Sequence, residues 1–205
     1  MNEDGVLDAC RQRWACKKFD GRSIPRAILL ELLECARLAP SSFGLEPWHF
    51  IVMESPEAIQ KLGDACNAQE AVYTAGAGIV IMVRSARHYA PDSDFINQRA
   101  SRFPGGLDAF IPDYAPYHAF LSQSGRLEGW ARAQSYIACA HIMLAAAAAG
   151  IDSCAIEGFK DEDLLAVTGL SEEDWMPGIV TVLGYAAMPR NARIREPLAG
   201  LVSFH

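Results

Sequence analysis

The chain has 205 residues, 51% apolar and 21% charged, with 18 basic against 25 acidic side chains and a net charge of −7. That apolar share excludes a disordered chain, which could not bury enough surface to offset its entropy. It also excludes a fibrous repeat, and the acidic balance argues against non-specific nucleic-acid binding, which needs a basic footprint.

In chain order, the acidic start MNEDGVLDAC has no apolar core of a secretory signal. Pro25 to Ala39 carries Ile28, Leu29, Leu32, Leu33 and Ala36 at helical spacing, which predicts an amphipathic helix opened by Pro25 and ended before Pro40. Trp48–Glu54 predicts a strand, Pro56–Ala65 a short helix, and Gly78–Val83 a strand buried on both faces. Residues 85–126 hold Pro91, Pro104, Pro112 and Pro116 among many aromatics and predict a long irregular covering segment. Leu127–Gly150 predicts a long alanine-rich helix closed by Gly150. Its most apolar part, Tyr136 to Ile151, contains His141 and falls short of the ~18–20 strongly apolar residues of a membrane span. Ser153–Ile156 predicts a strand, Asp161–Thr168 a helix and Gly178–Ala186 a strand, whereas 189–205 have no pattern and are expected to lie on another surface. The expected class is α+β, in one domain over 1–205.

The six cysteines (10, 16, 35, 66, 139 and 154) form no CxxC pair and have no histidine at metal spacing, so reduced thiols in a cytoplasmic protein and no metal are expected. No phosphate loop, zinc helix or nucleophile elbow occurs, and Gly76-Ala-Gly78 precedes a strand and lacks the third glycine of a dinucleotide fingerprint. Arg11, Arg13, Lys17 and Lys18 form one basic cluster, and Arg190, Arg193 and Arg195 another. The two could clamp one phosphate or could be solvated patches. The segment 39–50, APSSFGLEPWHF, is a polar turn able to bind a ligand or simply to stop a helix. Gly158, after Ile156 and Glu157, either admits a flat ligand close to the backbone or makes an ordinary turn. His49, His141 and Trp130 are read as structural.

Arg13, Lys17 and Phe19, then Ala39–Phe50, GIDSCAIEGF (150–159), VLGY (182–185) and RIREPL (193–198) occur in register along nearly the whole chain. In these pieces the chain resembles the FMN-dependent nitroreductase family, of the oxygen-insensitive NAD(P)H nitroreductase and flavin reductase type. The resemblance implies a mainly antiparallel sheet flanked by helices, a long buried helix at a homodimer interface, and two FMN sites built from both chains. It implies that Arg13, Ala15 and Lys17 lie at the flavin, with Arg193 and Arg195 at the phosphate. Pro40, Ser41, Ser42 and Gly44 would come from the partner subunit. Ile156, Glu157 and Gly158 would carry the amides facing flavin N5 and O4, with Gln69 near the pyrimidine edge. Three positions depart from the family pattern: Ala15 where Ser is frequent, Ala155 where Pro is common, and Gly44-Leu45-Glu46 in place of Asn-x-Gln.

No protein nucleophile or base is then required, because the cofactor carries the hydride. Lys17 and Glu157 are expected nearest the reactive ring, and Phe110, Tyr114, Tyr117 and Phe120 are candidates to stack on substrate. The expected partners are NAD(P)H and a small flat acceptor, nitroaromatic or quinone, in ping-pong turnover. The alternatives are a relative that dehydrogenates heterocycles or removes halogens reductively, or a flavin-binding protein without turnover.

Overall fold

The computed structural model describes residues 5–205; Met1 to Asp4, the first residues of the acidic start, lie outside them. Four strands, β1 (Trp48–Met53), β2 (Ala77–Arg84), β3 (Asp152–Ile156) and β4 (Trp175–Gly184), form one sheet in the order β1-β2-β4-β3, antiparallel throughout. The helices are α1 (Gly5–Gln12), α2 (Arg26–Arg37), α3 (Pro56–Ala65), α4 (Glu70–Tyr73), α5 (Asp94–Ala100), α6 (Gly106–Gln123), α7 (Leu127–Ala148) and α8 (Asp161–Thr168). This is the expected α+β class.

The unbroken apolar run of β2 reflects a central strand covered on both sides: Ile79 to Val83 are fully buried. Ile79, Ile81, Ile179 and Leu183 meet α2 and α7 on one face. Val80, Met82, Val180, Val182, Cys154 and Ile156 meet α3 and α8 on the other. The helix α7 can lie close to the sheet because most of its buried face is small (Ala131, Ser135, Ala138, Cys139, Ala146 and Ala147), with Gln134 and Ile142 its larger members. At Gly178 of β4 the approach is tightest, since a Cβ there would come 2.5 Å from Ser135 Oγ and 2.7 Å from the Ile81 carbonyl.

Most boundaries agree with the expectations to within three residues. The helix α2 starts after Pro25, whose carbonyl accepts from Ile28 and Leu29, and it stops before the Ala39–Pro40 step. The strand β4 begins earlier than expected, at Trp175, because a register shift between Ile81 and Met82 accommodates Pro177. It ends at Gly184, where Phe19 occupies the space a side chain would need. Neither α1 nor α4 was expected.

The segment 85–126 corrects the sequence reading. It is helical, not irregular: a short 3₁₀ turn (Ala86–Tyr89), then α5 and α6. Pro112 and Pro116 lie inside α6, four residues apart on its exposed face. Each removes one amide donor where solvent can hydrate the orphaned carbonyl. The opposite face carries Phe110, Tyr114, Tyr117 and Leu121 at helical spacing, and their packing outweighs the proline cost. Gly105 (φ +84°) and Gly125 (φ +67°) bound the helix in left-handed conformations. Residues 189–205 are exposed and form no regular element beyond a 3₁₀ turn at Leu198–Gly200, with Ile194, Leu198, Leu201 and Phe204 open to solvent.

Replacing Gly178 by alanine is expected to cost about 1–3 kcal/mol by forcing α7 off the sheet. Chemical denaturation should show a lower midpoint with the slope unchanged.

Candidate functional site

The segment after α1 runs along β3. Ala15 bridges Ser153 in parallel, and the Cys16 amide donates to the Ser153 carbonyl at 3.0 Å. This brings the Lys17 ammonium to 3.4 Å from Cys154 Sγ. Asp152, at the start of β3, accepts from the Trp14 indole and from the Ala186 amide at 3.1 Å, tying the segment to the end of β4. Ala15, one of the three departures, contributes its backbone here.

Around this segment Arg11, Arg13, Lys17, Arg190, Arg193 and Arg195 line a cleft of about 620 Å³. The Arg193 guanidinium donates to the carbonyls of Cys10 (2.8 Å), Arg11 (3.1 Å) and Arg13, placing a cation at the end of α1, the end that favours one. Burial, then the neighbouring charges of Arg193 and Arg195, hold the Arg13 guanidinium below its ordinary pKa. Like charges crowded in this way are relieved by an anion, so the residues present fit a phosphate.

At the far end of β3, Ile156 is buried while Glu157 and Gly158 are exposed. The Gln69 side chain donates to the carbonyls of Gly158 (3.0 Å) and Cys66 (2.9 Å), and a Cβ on Gly158 would sit 3.0 Å from Gln69 Nε2. Asn67 (φ +55°) and Ala68 (φ +54°) adopt left-handed backbone just before Gln69, a costly conformation for non-glycine residues. On the other side the Tyr136 hydroxyl of α7 donates to Glu157 Oε1 at 2.6 Å. Ala155, where the family pattern often has proline, pairs with Thr181 in the ladder.

The turn after α2 is a third group. The Ser41 hydroxyl accepts from the Glu46 amide, and the Ser42 amide donates to Gln134 Oε1 of α7, both at 2.8 Å. Phe43, Gly44 and Glu46 all have positive φ. Arg102 steadies them by donating to the Gly44 carbonyl (3.1 Å) and the Glu46 carboxylate (3.3 Å), while Phe103 lies against Gly44. Glu46 therefore turns toward α5–α6. Pro40 stays exposed. Among the described residues no hydrogen bond joins this turn to Arg13, Lys17, Glu157 or Gly158. One chain thus sets the basic cleft and the Glu157–Gly158 turn along β3, and holds the 40–46 turn from Arg102, Phe103 and Gln134.

The four aromatics of α6 separate. Tyr114 is 1% exposed and its hydroxyl donates to the Tyr89 carbonyl at 2.6 Å. It is a core residue, which corrects its assignment to a substrate site. Phe110 and Tyr117 pack on Phe43, with ring centroids 5.8 and 5.5 Å away, and so support the 40–46 turn. Phe120 alone of the four leaves much of its ring open, beside Arg126.

All six cysteines are free. Burial pushes the Cys66 thiol up to about 12 and the Cys139 thiol up to about 11, so neither is a nucleophile at neutral pH. His49 lies beside Trp175 and His141 beside the Cys35 carbonyl. Tyr136, Gln134, Phe43 and Asp152 were missed by sequence reasoning; the available signal was a Gln and a Tyr inside an otherwise small and apolar helix.

The nitroreductase family model matches residues 10–185. The chain belongs to the nitroreductase family. It is 33% identical over 207 residues to the Bacillus subtilis protein named "Putative NAD(P)H nitroreductase YfkO", covering 94% of this chain and 90% of that one. A nitroreductase-like protein of Streptococcus mutans has the same fold, with a TM-score of 0.82 at 17% identity and 98% of each chain covered. So does an Exiguobacterium sibiricum "putative nitroreductase in complex with FMN", with a TM-score of 0.76 at 21% identity, covering 98% of this chain and 97% of that one. In this nitroreductase family member no described helix is long and apolar enough to cross a membrane.

Substituting Gln134 by methionine should leave the Ser42 amide unpaired and cost about 1–2 kcal/mol. Amide hydrogen exchange at Ser42 is expected to quicken, with protection in β2 and β4 unchanged.

Proposed function

We propose that this nitroreductase family member is an FMN-dependent NAD(P)H oxidoreductase that reduces nitroaromatics, quinones or similar flat acceptors. The observation that carries the reading is the placement along β3: repelling cations at its start and a glycine turn at its end. The four steps from Ser153 to Glu157 span about 13 Å at strand rise, the scale of a flavin mononucleotide. The fold shared with a protein solved with FMN supports the same reading.

When bound, FMN supplies two-electron hydride chemistry between the nicotinamide and the acceptor. Arg13, Arg193 and Arg195 hold the phosphate, Arg193 also keeping the cleft closed against α1. Lys17 places a positive charge beside the ring, where negative charge develops on reduction. Gly158 leaves room for the flat ring, and Gln69 fixes the backbone that presents the Glu157 and Gly158 amides. A second copy of the chain completes the site with its 40–46 turn, as the family resemblance implies, and Pro40 and the turn's partly open residues leave it accessible to such a copy. The exposed Ile194, Leu198, Leu201 and Phe204 need a surface, and the groove between α1, α2 and α7, lined by Val6, Ala9, Leu144, Ala145 and Ala148, offers an apolar one. The free cysteines support a cytoplasmic setting.

The visible spectrum of purified protein, before and after anaerobic NADPH, tests the reading. A flavin band that bleaches, followed by steady turnover with menadione or a nitroaromatic, is expected. A colourless protein that takes up no added FMN overturns it, and a flavin that NADPH leaves oxidised overturns the oxidoreductase part. Lys17→Ala or Arg13→Ala should weaken FMN binding by about 10- to 100-fold, the range for losing one charge-assisted contact. Titrations should show the loss shrinking as salt is raised.

A further inference from the structure

The hydrogen bond between Tyr136 and Glu157 is outside every role assigned so far. It joins two elements far apart in sequence: the middle of α7 and the turn that ends β3. The hydroxyl donates to Glu157 Oε1 at 2.6 Å, a short charge-assisted contact. Glu157 is therefore held by its side chain from α7, while Gly158 is held by its carbonyl from Gln69 on the opposite side. Between these two anchors lie the Glu157 and Gly158 amides. Both Tyr136 and Glu157 are exposed in the single chain, and among the described residues the Glu157 carboxylate has no other side-chain partner than Tyr136.

We propose that Tyr136 is a positioning residue that sets the reduction potential of the bound flavin by anchoring the Glu157 carboxylate to α7. The inference rests on the FMN reading above. An unanchored carboxylate at this turn could swing toward the ring, and a negative charge there opposes the gain of electrons. Drawn back onto Tyr136, its charge is shared with the phenol and kept at the helix. The tyrosine is suited to a fixed donor role: its hydrogen bond to Glu157, then burial, push its pKa up to about 12. It stays protonated over the whole neutral range and cannot itself add charge.

The experiment measures the two-electron midpoint potential of FMN bound to wild type, Tyr136→Phe, Glu157→Gln and the double variant, with thermal unfolding alongside. Glutamine keeps an oxygen for the Tyr136 hydroxyl and removes the charge. Tyr136→Phe is expected to disfavour the reduced form by about tenfold, equivalent to about 30 mV for a two-electron couple. In the Glu157→Gln background the same substitution should shift the equilibrium by less than about twofold, because the charge it frees is gone. An unshifted potential in Tyr136→Phe, or an equal shift in both backgrounds, overturns the inference even if the unfolding temperature falls. Failure of wild type to bind FMN overturns the functional reading instead, and the inference with it.

Discussion

The rest of this structure depends on how closely α7 lies against the sheet. Alanine and serine on its buried face, meeting Gly178 of β4, bring the helix backbone near enough for ordinary side chains to reach several loops at once. Arg132 reaches the Pro177 carbonyl and Asp161, Gln134 reaches the Ser42 amide, and Tyr136 reaches Glu157. Within five residues one helix thus fixes the entry to α8, the turn after α2 and the end of β3. A bulkier helix would keep the fold class and lose this shared reference. That is the physical use of a composition that otherwise reads as mere apolar filling.

A second constraint is electrostatic. The chain carries a net charge of −7, yet its basic side chains converge from both ends onto the start of β3. Part of this charge is already used within the chain, as Arg193 caps α1 and Arg190 lies 3.7 Å from the Asp152 carboxylate. Burial, and then the crowding of Arg193 and Arg195, hold Arg13 below its ordinary pKa. A surplus of positive charge held in a cleft against an acidic background is a binding feature, because an isolated surface patch would relax into solvent.

The turn at 40–46 shows how strain is paid for by packing. Three positive φ angles within four residues, at Phe43, Gly44 and Glu46, persist because Arg102, Phe103 and the α6 aromatics hold them. Phe110, Tyr114 and Tyr117 of α6 thus bear on the turn through Phe43. Glu46 in particular makes sense as the anion that Arg102 requires.

The amino-acid sequence by itself determined the four strands, the amphipathic α2, the short helices α3 and α8 and the alanine-rich α7, because each carries a local period or a turn residue that short-range sterics enforce. It also carried the basic clusters and the glycine at 158. It did not determine α6: two prolines argued against a helix, and only the burial of Tyr114 and Leu121 beneath α5 and α7 decided in its favour. Nor did it show that Tyr114 is core, that Phe43 supports the turn, or that Tyr136 and Gln134 reach out from α7. Those depend on which elements meet in space, a matter of long-range packing that no local pattern encodes. Tertiary structure alone laid Arg13 and Lys17 beside β3, with Glu157 at its end, and anchored the 40–46 turn to Arg102 and Gln134.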